Sequence, residues 1–250
     1  MKLEKWYCDV VDRGSVHVHY LAALRLGKSS IAYRGWLSSD GFKQSDFRWG
    51  TDCLPSRNDS ELIWPLKGRS LRFEPQGRIC QPVELWKTPS STLTWHPVVP
   101  NGRVSGEGLS PDARGYAEVL TTNFGPWHLG LQTLIWGRFC GSHSSLIWIV
   151  WEGVHPKRLA LLDGEEVELQ LANERQVKAG VAQLDMLEPR VLVQERMNKG
   201  SLKGIPLKGP LARLEFLRGL EVKWHSTAVL KTADGVDHGH AVFERVTWGD

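Results

Sequence analysis

The sequence has no long apolar run: its longest uninterrupted hydrophobic stretch, residues 146–151, is six residues, far short of the ~20 that a helix needs to cross a bilayer. Nor is one sign of charge in excess. The 31 Lys and Arg and 28 Asp and Glu give a net charge of +3 and are scattered along the chain, without the dense basic stripe that binds a phosphate backbone. Nucleic acid is therefore not an expected partner. Cysteine is scarce: Cys8, Cys53, Cys80 and Cys140 show neither zinc-site spacing nor the density of a disulfide scaffold, and read as reduced, buried thiols. Lys2, Glu4 and Lys5 stand where an export signal would carry its apolar segment, so a soluble, cytoplasmic protein is expected. Nucleophile elbow, phosphate loop, dinucleotide fingerprint and HExxH motif are all missing. This argues against kinases, dehydrogenases and zincins, and no cofactor is expected.

Helical periodicity is also nearly absent, and what remains is a strand rhythm. Residues 3–11 and 15–26 alternate or run apolar around Asp12-Arg13-Gly14, a hairpin signal. Further strands are predicted at 30–37, 61–65, 70–74, 82–87 and 92–99. Beyond the central stretch they continue at 145–152, 158–162, 167–171, 176–183, 190–197, 212–217, 220–230 and 240–248, each bounded by Gly, Pro or Ser clusters. Residues 41–59, polar and without a period, read as a loop or lid. Twelve tryptophans imply aromatic cores or a cavity for a large apolar ligand.

The second half restates the first. Trp136 follows Trp6 by 130 positions, and at that offset Ser15, Val16 and Val18 fall on Ser145, Leu146 and Trp148. Gly115-Tyr116-Ala117 and Gly239-His240-Ala241 recur 124 apart. Two related β units, 1–125 and 126–250, are predicted. Antiparallel units of this size remove exposed edges most completely by closing into barrels, and a small barrel can enclose a ligand.

Chemistry is expected at residues 113–139, where an isolated carboxylate and an arginine sit among aromatic residues. Read as two adjacent strands, this stretch turns Tyr116 and Glu118 to one face, and Leu134, Trp136 and Arg138 to one face of the next strand. Glu118 is either an acid in an apolar pocket, with a raised pKa suited to proton donation, or half of a buried ion pair with Arg138. In the second case Tyr116 is the better donor. Trp6, Trp136 and Trp148 would stabilise a cation or, with Trp127, line an apolar ligand site. Asp9 is a second carboxylate, read as a turn former. His17 and His19, like His238 and His240, share a strand face at HxH spacing but lack a local third ligand, so no metal is expected.

The opening EKWYCDVVD at residues 4–12 resembles the E-W-W-Y-F-D start of hydroxyneurosporene synthase and AttH-like proteins, a tandem lipocalin-like family. GYAE at 115–118 is similar to that family's G-Y-x-D segment, WGRF at 136–139 resembles its W-x-W-G-R, and GHAVFERVTW at 239–248 is similar to its closing G-x-G-Y-x-E-L strand. The resemblance implies two tandem lipocalin-like antiparallel β-barrels. It also implies relatives such as carotenoid 1,2-hydratases and lipocalin-like pericyclases, which protonate or fold an apolar polyene in a pocket between barrels. Tyr116 and Glu118 would take the positions of a Tyr and an acidic residue implicated in hydratase chemistry. This chain departs from the pattern in having Glu for Asp, Ala117 for a His, and Leu134-Ile135-Trp136 for a paired Trp, and in being shorter.

The leading expectation is thus a cofactor-independent enzyme acting by proton transfer on a hydrophobic small molecule, of hydratase, isomerase or cyclase type. A non-catalytic carrier of a hydrophobic ligand is the alternative. A cupin-like metal enzyme, resting on His17 and His19, is the third.

Overall fold

Residues Lys2–Asp12 (β1) and Ser15–Leu26 (β2) form the predicted antiparallel hairpin. Arg13 and Gly14 between them have φ of 49° and 78°, the left-handed pair that a two-residue loop requires to match strand twist. The structure, a computed structural model, describes all residues except 1, 28, 40, 52, 59, 201–217 and 250, and describes residues 26 and 41–48 by backbone alone. The predicted strand at 212–217 lies outside the described residues.

In the first unit, Met1–His128, the remaining strands are β3 (Ser29–Ser38), β4 (Gly41–Trp49), β5 (Ser56–Arg57), β6 (Leu62–Pro65), β7 (Ser70–Pro75), β8 (Val83–Lys87), β9 (Thr92–Ser105) and β10 (Arg114–Thr122). They make one curled antiparallel sheet in the order β4-β3-β2-β1-β10-β9-β7-β6-β5, with β8 on β9. The second unit, Leu129–Asp250, contains β11 (Leu131–Gly141), β12 (Ser145–Gly153), β13 (Lys157–Leu162), β14 (Glu165–Val167) and β15 (Leu169–Ala172). These are followed by β16 (Gln176–Ala179), β17 (Ala182–Met186), β18 (Arg190–Arg196), β19 (Leu220–Thr232) and β20 (Gly235–Thr247). Its sheet runs β14-β13-β12-β11-β20-β19-β17-β16-β15, with β18 on β19. Strand for strand, this is the order of the first unit.

Alternation assigns the faces. On β1, Trp6, Cys8 and Val10 enter an apolar core with Leu21, Leu62, Trp64, Phe73, Val104 and Ala117, while Tyr7, Asp9 and Val11 take the other face. On β11, Phe139 and the partly buried Ile135 meet Leu146, Trp148, Val177, Leu184 and Phe243, and Trp136, Arg138 and Cys140 take the other face. All four cysteines are free and buried.

Several expectations are corrected. Trp6 and Trp136 do fall on the first strand of each sheet, but on opposite faces. Gly115 lies opposite Val10 and Gly239 opposite Gly141; a Cβ on either glycine would strike the backbone carbonyl of the strand beside it, Asp9 and Cys140 respectively. Counting back from these matched glycines, Trp6 corresponds to Gly137, not Trp136. An offset wrong by one residue reverses every side chain, because the strand period is two. Residues 41–59 are not a structureless loop: 41–49 form β4, last in the strand order of the sheet, and the register shift opposite Trp36 and Leu37 breaks its period. The single strand expected at 176–183 is two, β16 and β17, turned at Gly180, whose φ is 56°. Finally, β10 and β11 are not a hairpin. They belong to different sheets and are joined through a 3-10 turn at Pro126–Leu129.

Candidate active site

Two Tyr-x-acid triplets face each other on the central strands of the first unit. Tyr7-Cys8-Asp9 lies on β1 and Tyr116-Ala117-Glu118 on β10, and the antiparallel register sets Tyr7 opposite Glu118 and Asp9 opposite Tyr116. Residues two apart share a strand face, so each tyrosine reaches its own acid. Tyr116 Oη donates to Glu118 Oε2 at 2.7 Å, and Tyr7 Oη donates to Asp9 Oδ2 at 3.0 Å. From β9, Trp95 Nε1 donates to the same Glu118 oxygen at 2.6 Å. The Tyr7 and Tyr116 rings lie 6.2 Å apart, and Tyr20 on β2 meets Tyr7 edge-on at 5.5 Å.

The cluster is enclosed: Asp9 and Tyr116 are 0% exposed and Glu118 is 8% exposed. Burial raises the Tyr116 phenol well above its ordinary pKa, and the charge and hydrogen bond of Glu118 add to the effect. Tyr116 therefore keeps its proton. Burial likewise pushes the Cys8 thiol up, with Asp9 adding to it. Two donors converging on one carboxylate oxygen is the arrangement that holds and orients an anion.

The matching face of the second unit carries a different polar cluster. Lys223 is 0% exposed on β19. Its ammonium pairs with Glu244, lies 3.9 Å from Glu221 Oε1 and sits 5.5 Å from the Trp136 ring centroid. Arg138, also fully buried, donates from Nη1 to the His240 carbonyl at 2.8 Å. His225 Nε2 and His240 Nδ1 are 3.1 Å apart, with the rings stacked.

The sequence-predicted residues therefore divide. Tyr116 and Glu118 are joined directly. Trp6 lies on the opposite, core-facing side of β1, where its Nε1 donates to Glu4 at 2.7 Å. Trp148 belongs to the apolar core of the second unit. Trp136 and Arg138 belong to the polar face of β11, and Arg138 is not on a strand adjacent to Glu118. Trp127, on the connecting turn, is 38% exposed. Asp9 is no turn former but a mid-strand carboxylate. Sequence reasoning missed Tyr7, Trp95 and Lys223. The repeated Tyr-x-acid pattern was the signal for the first, whereas nothing local marks Trp95 or Lys223. Among the described residues, no group of three His, Cys, Asp or Glu is gathered as metal ligands would be.

The histidine pair makes stability depend on pH. Burial, followed by the charges of His240, Arg138 and Arg190, lowers His225 to about 4, against about 6.5 for an unfolded histidine. Between these values the unfolded chain binds more protons, so stability is full above about pH 6.5 and falls as pH drops toward about 4. His19, lowered by burial to about 3, acts with the same sign. Melting temperatures measured from pH 7 to pH 4 should fall, and fall less steeply in His225→Leu. Equal slopes would mean that His225 titrates freely in the folded protein.

No protein-family profile matches the sequence, and no curated protein matches it. Solved structures do match in fold. CghA determined with Sch210972 aligns with a TM-score of 0.57 at 11% identity, over 99% of this chain and 89% of that one. Kievitone hydratase from Nectria haematococca aligns with a TM-score of 0.55 at 10% identity, over 97% and 88%. A putative AttH from Nitrosomonas europaea aligns with a TM-score of 0.55 at 10% identity, over 100% and 94%. Nearly the whole length of each chain is aligned, so both units take part, and this chain has the all-β, tandem lipocalin-like fold of these proteins.

Proposed function

We propose that the protein is an enzyme that moves a proton on a hydrophobic small molecule, in the hydratase, isomerase or cyclase range, and that Tyr116 and Glu118 carry the chemistry without a cofactor. The observation that carries this reading is the convergence of Trp95 Nε1 and Tyr116 Oη on one oxygen of a buried carboxylate. A group held this way acts as a general base: it takes a proton from a substrate carbon or from an attacking water and returns it elsewhere on the same molecule. Tyr116, protonated and hydrogen-bonded to that carboxylate, supplies the O–H that steadies charge developing on a substrate oxygen. That a kievitone hydratase shares the fold supports a hydratase within this range. Direct protonation of an isolated alkene by Glu118 is the less suited member, since the hydrogen bonds from Trp95 and Tyr116 are ones the carboxylate accepts, not donates.

The experiment is incubation of the purified protein in D2O with linear polyenes and with conjugated enones, read by mass spectrometry. Protein-dependent deuterium entry at carbon, or addition of water, is expected. Saturable binding of these compounds with neither outcome would replace the enzyme with a carrier.

A further inference from the structure

The strand that carries Tyr116 and Glu118 also carries an arginine on the same face. Arg114, Tyr116 and Glu118 stand at alternate positions of β10, whose register with β1 is regular throughout, so the three side chains leave the sheet on one side. On β9, Arg103 lies directly opposite Arg114. The neighbouring residues fix its side: Ala113 and Val104 belong to the apolar core, and each arginine, one position away, points to the other face.

Like charges directly opposite each other on neighbouring strands repel. Among the described residues neither guanidinium has a side-chain hydrogen bond or an ion pair. The carboxylates nearby do not neutralise them: Glu74, opposite Arg103 on β7, makes no ion pair with it, Glu61 is held by Arg72 at 2.8 Å, and Asp12 is held by Ser110. The second unit has no such pair. With Gly115 opposite Gly102 and Gly239 opposite Ala228 as matched positions, Arg103 corresponds to Val229 and Arg114 to His238. The opposed arginines therefore belong to the unit that bears Tyr116 and Glu118, and not to the strand plan that both units share.

Exposure rises along this row, from Tyr116 at 0% to the half-buried Arg114 and the exposed Arg103. Strand geometry puts Arg114 about 7 Å from Tyr116 and about 13 Å from Glu118 along the chain. We propose that Arg103 and Arg114 form an anion subsite for a carboxylate carried by the substrate, so that the substrate class is an unsaturated hydrophobic acid and not a neutral hydrocarbon. Each guanidinium fork matches a carboxylate with paired N–H groups, and one anion between the two arginines replaces their repulsion with two attractions. What lies beyond the carboxylate rests on the proton-transfer reading above: an acid group anchored at one end of the row sets which carbon reaches Glu118.

The probes are cis-parinaric acid, a conjugated polyene acid that fluoresces in apolar surroundings, and its methyl ester. At pH 8 and low salt the full chain should bind the acid about ten- to a hundredfold more tightly than the ester, the range of hydrogen bonds to a charged group, and added salt should shrink this advantage. Arg103→Gln and Arg114→Gln should each lose most of the preference while keeping the affinity for the ester. Neither variant should melt earlier than the wild type, since each removes one of two opposed charges. Equal binding of acid and ester by the wild-type chain, or a preference that survives in both variants, would overturn the subsite. Inorganic phosphate should compete poorly; if it abolished the acid's advantage at equal concentration, the arginines would be a site for free anions and the substrate assignment would fall. Deuterium uptake from D2O separates this inference from the reading it extends. Uptake by acid and ester alike, with equal binding, removes the subsite and leaves proton transfer; an arginine-dependent preference for the acid with no uptake leaves the subsite and removes proton transfer.

Discussion

Glu118→Gln is expected to cut turnover by ~10²–10⁴-fold, the loss typical of removing a general acid or base, while leaving most of the fold's stability in place. Glutamine keeps the shape of the side chain and one carbonyl oxygen, which can still accept from Trp95 Nε1 and Tyr116 Oη. Those bonds now reach Glu118 Oε2 at 2.6 and 2.7 Å. For these two bonds the loss is the difference between charge-assisted and neutral hydrogen bonding, about 1–3 kcal/mol together. Turnover per folded molecule and a denaturant melt, measured on the same preparation, separate the two effects. A variant that is somewhat less stable but turns over at the wild-type rate would make Glu118 a structural anion, and the proton-transfer reading would fail with it. Tyr116→Phe is the companion, because it removes the phenol and leaves the carboxylate: a smaller loss of turnover is expected than for Glu118→Gln.

Lys223→Met is expected to produce the largest loss of stability in the second unit, ~3–5 kcal/mol, as when one partner of a buried ion pair is removed. Lys223 is fully enclosed, pairs with Glu244, lies 3.9 Å from Glu221 and is 5.5 Å from the Trp136 ring. Methionine fills much of the same space but leaves two carboxylates facing each other without the ammonium. The loss should therefore be largely reversed in the triple variant Lys223→Met, Glu221→Gln, Glu244→Gln, because a buried ionic cluster replaced as a whole often costs little. Chemical denaturation of the three proteins at pH 7 checks this. A single variant within about 1 kcal/mol of the wild type would show that solvent screens the pair as it does on a surface.

The face of the second unit that bears Lys223 corresponds to the Tyr7–Asp9 face of the first. Matched strands thus present tyrosines and carboxylates in one unit, and a lysine between two glutamates, an arginine and two histidines in the other. A shared backbone plan leaves face chemistry free to diverge, because the order of strands depends on turns and alternation while each face depends on what it buries.

The sequence by itself determined the β class, the hairpin at Asp12-Arg13-Gly14, most strand positions, the shared strand face of Tyr116 and Glu118 and the recurrence of Gly115 and Gly239. Each of these is local: a turn needs its own residues at positive φ, and residues two apart share a face whatever the partner strand is. Only the tertiary structure decided that β10 and β11 lie in different sheets, that Trp6 answers to Gly137, and that Trp148 is core while Trp136 is not. The same holds for Trp95, which donates to Glu118, and for Lys223 between Glu221 and Glu244. All of these depend on register between strands distant in sequence. A shift of one residue in that register exchanges the two faces of a strand while leaving its pattern of alternation unchanged.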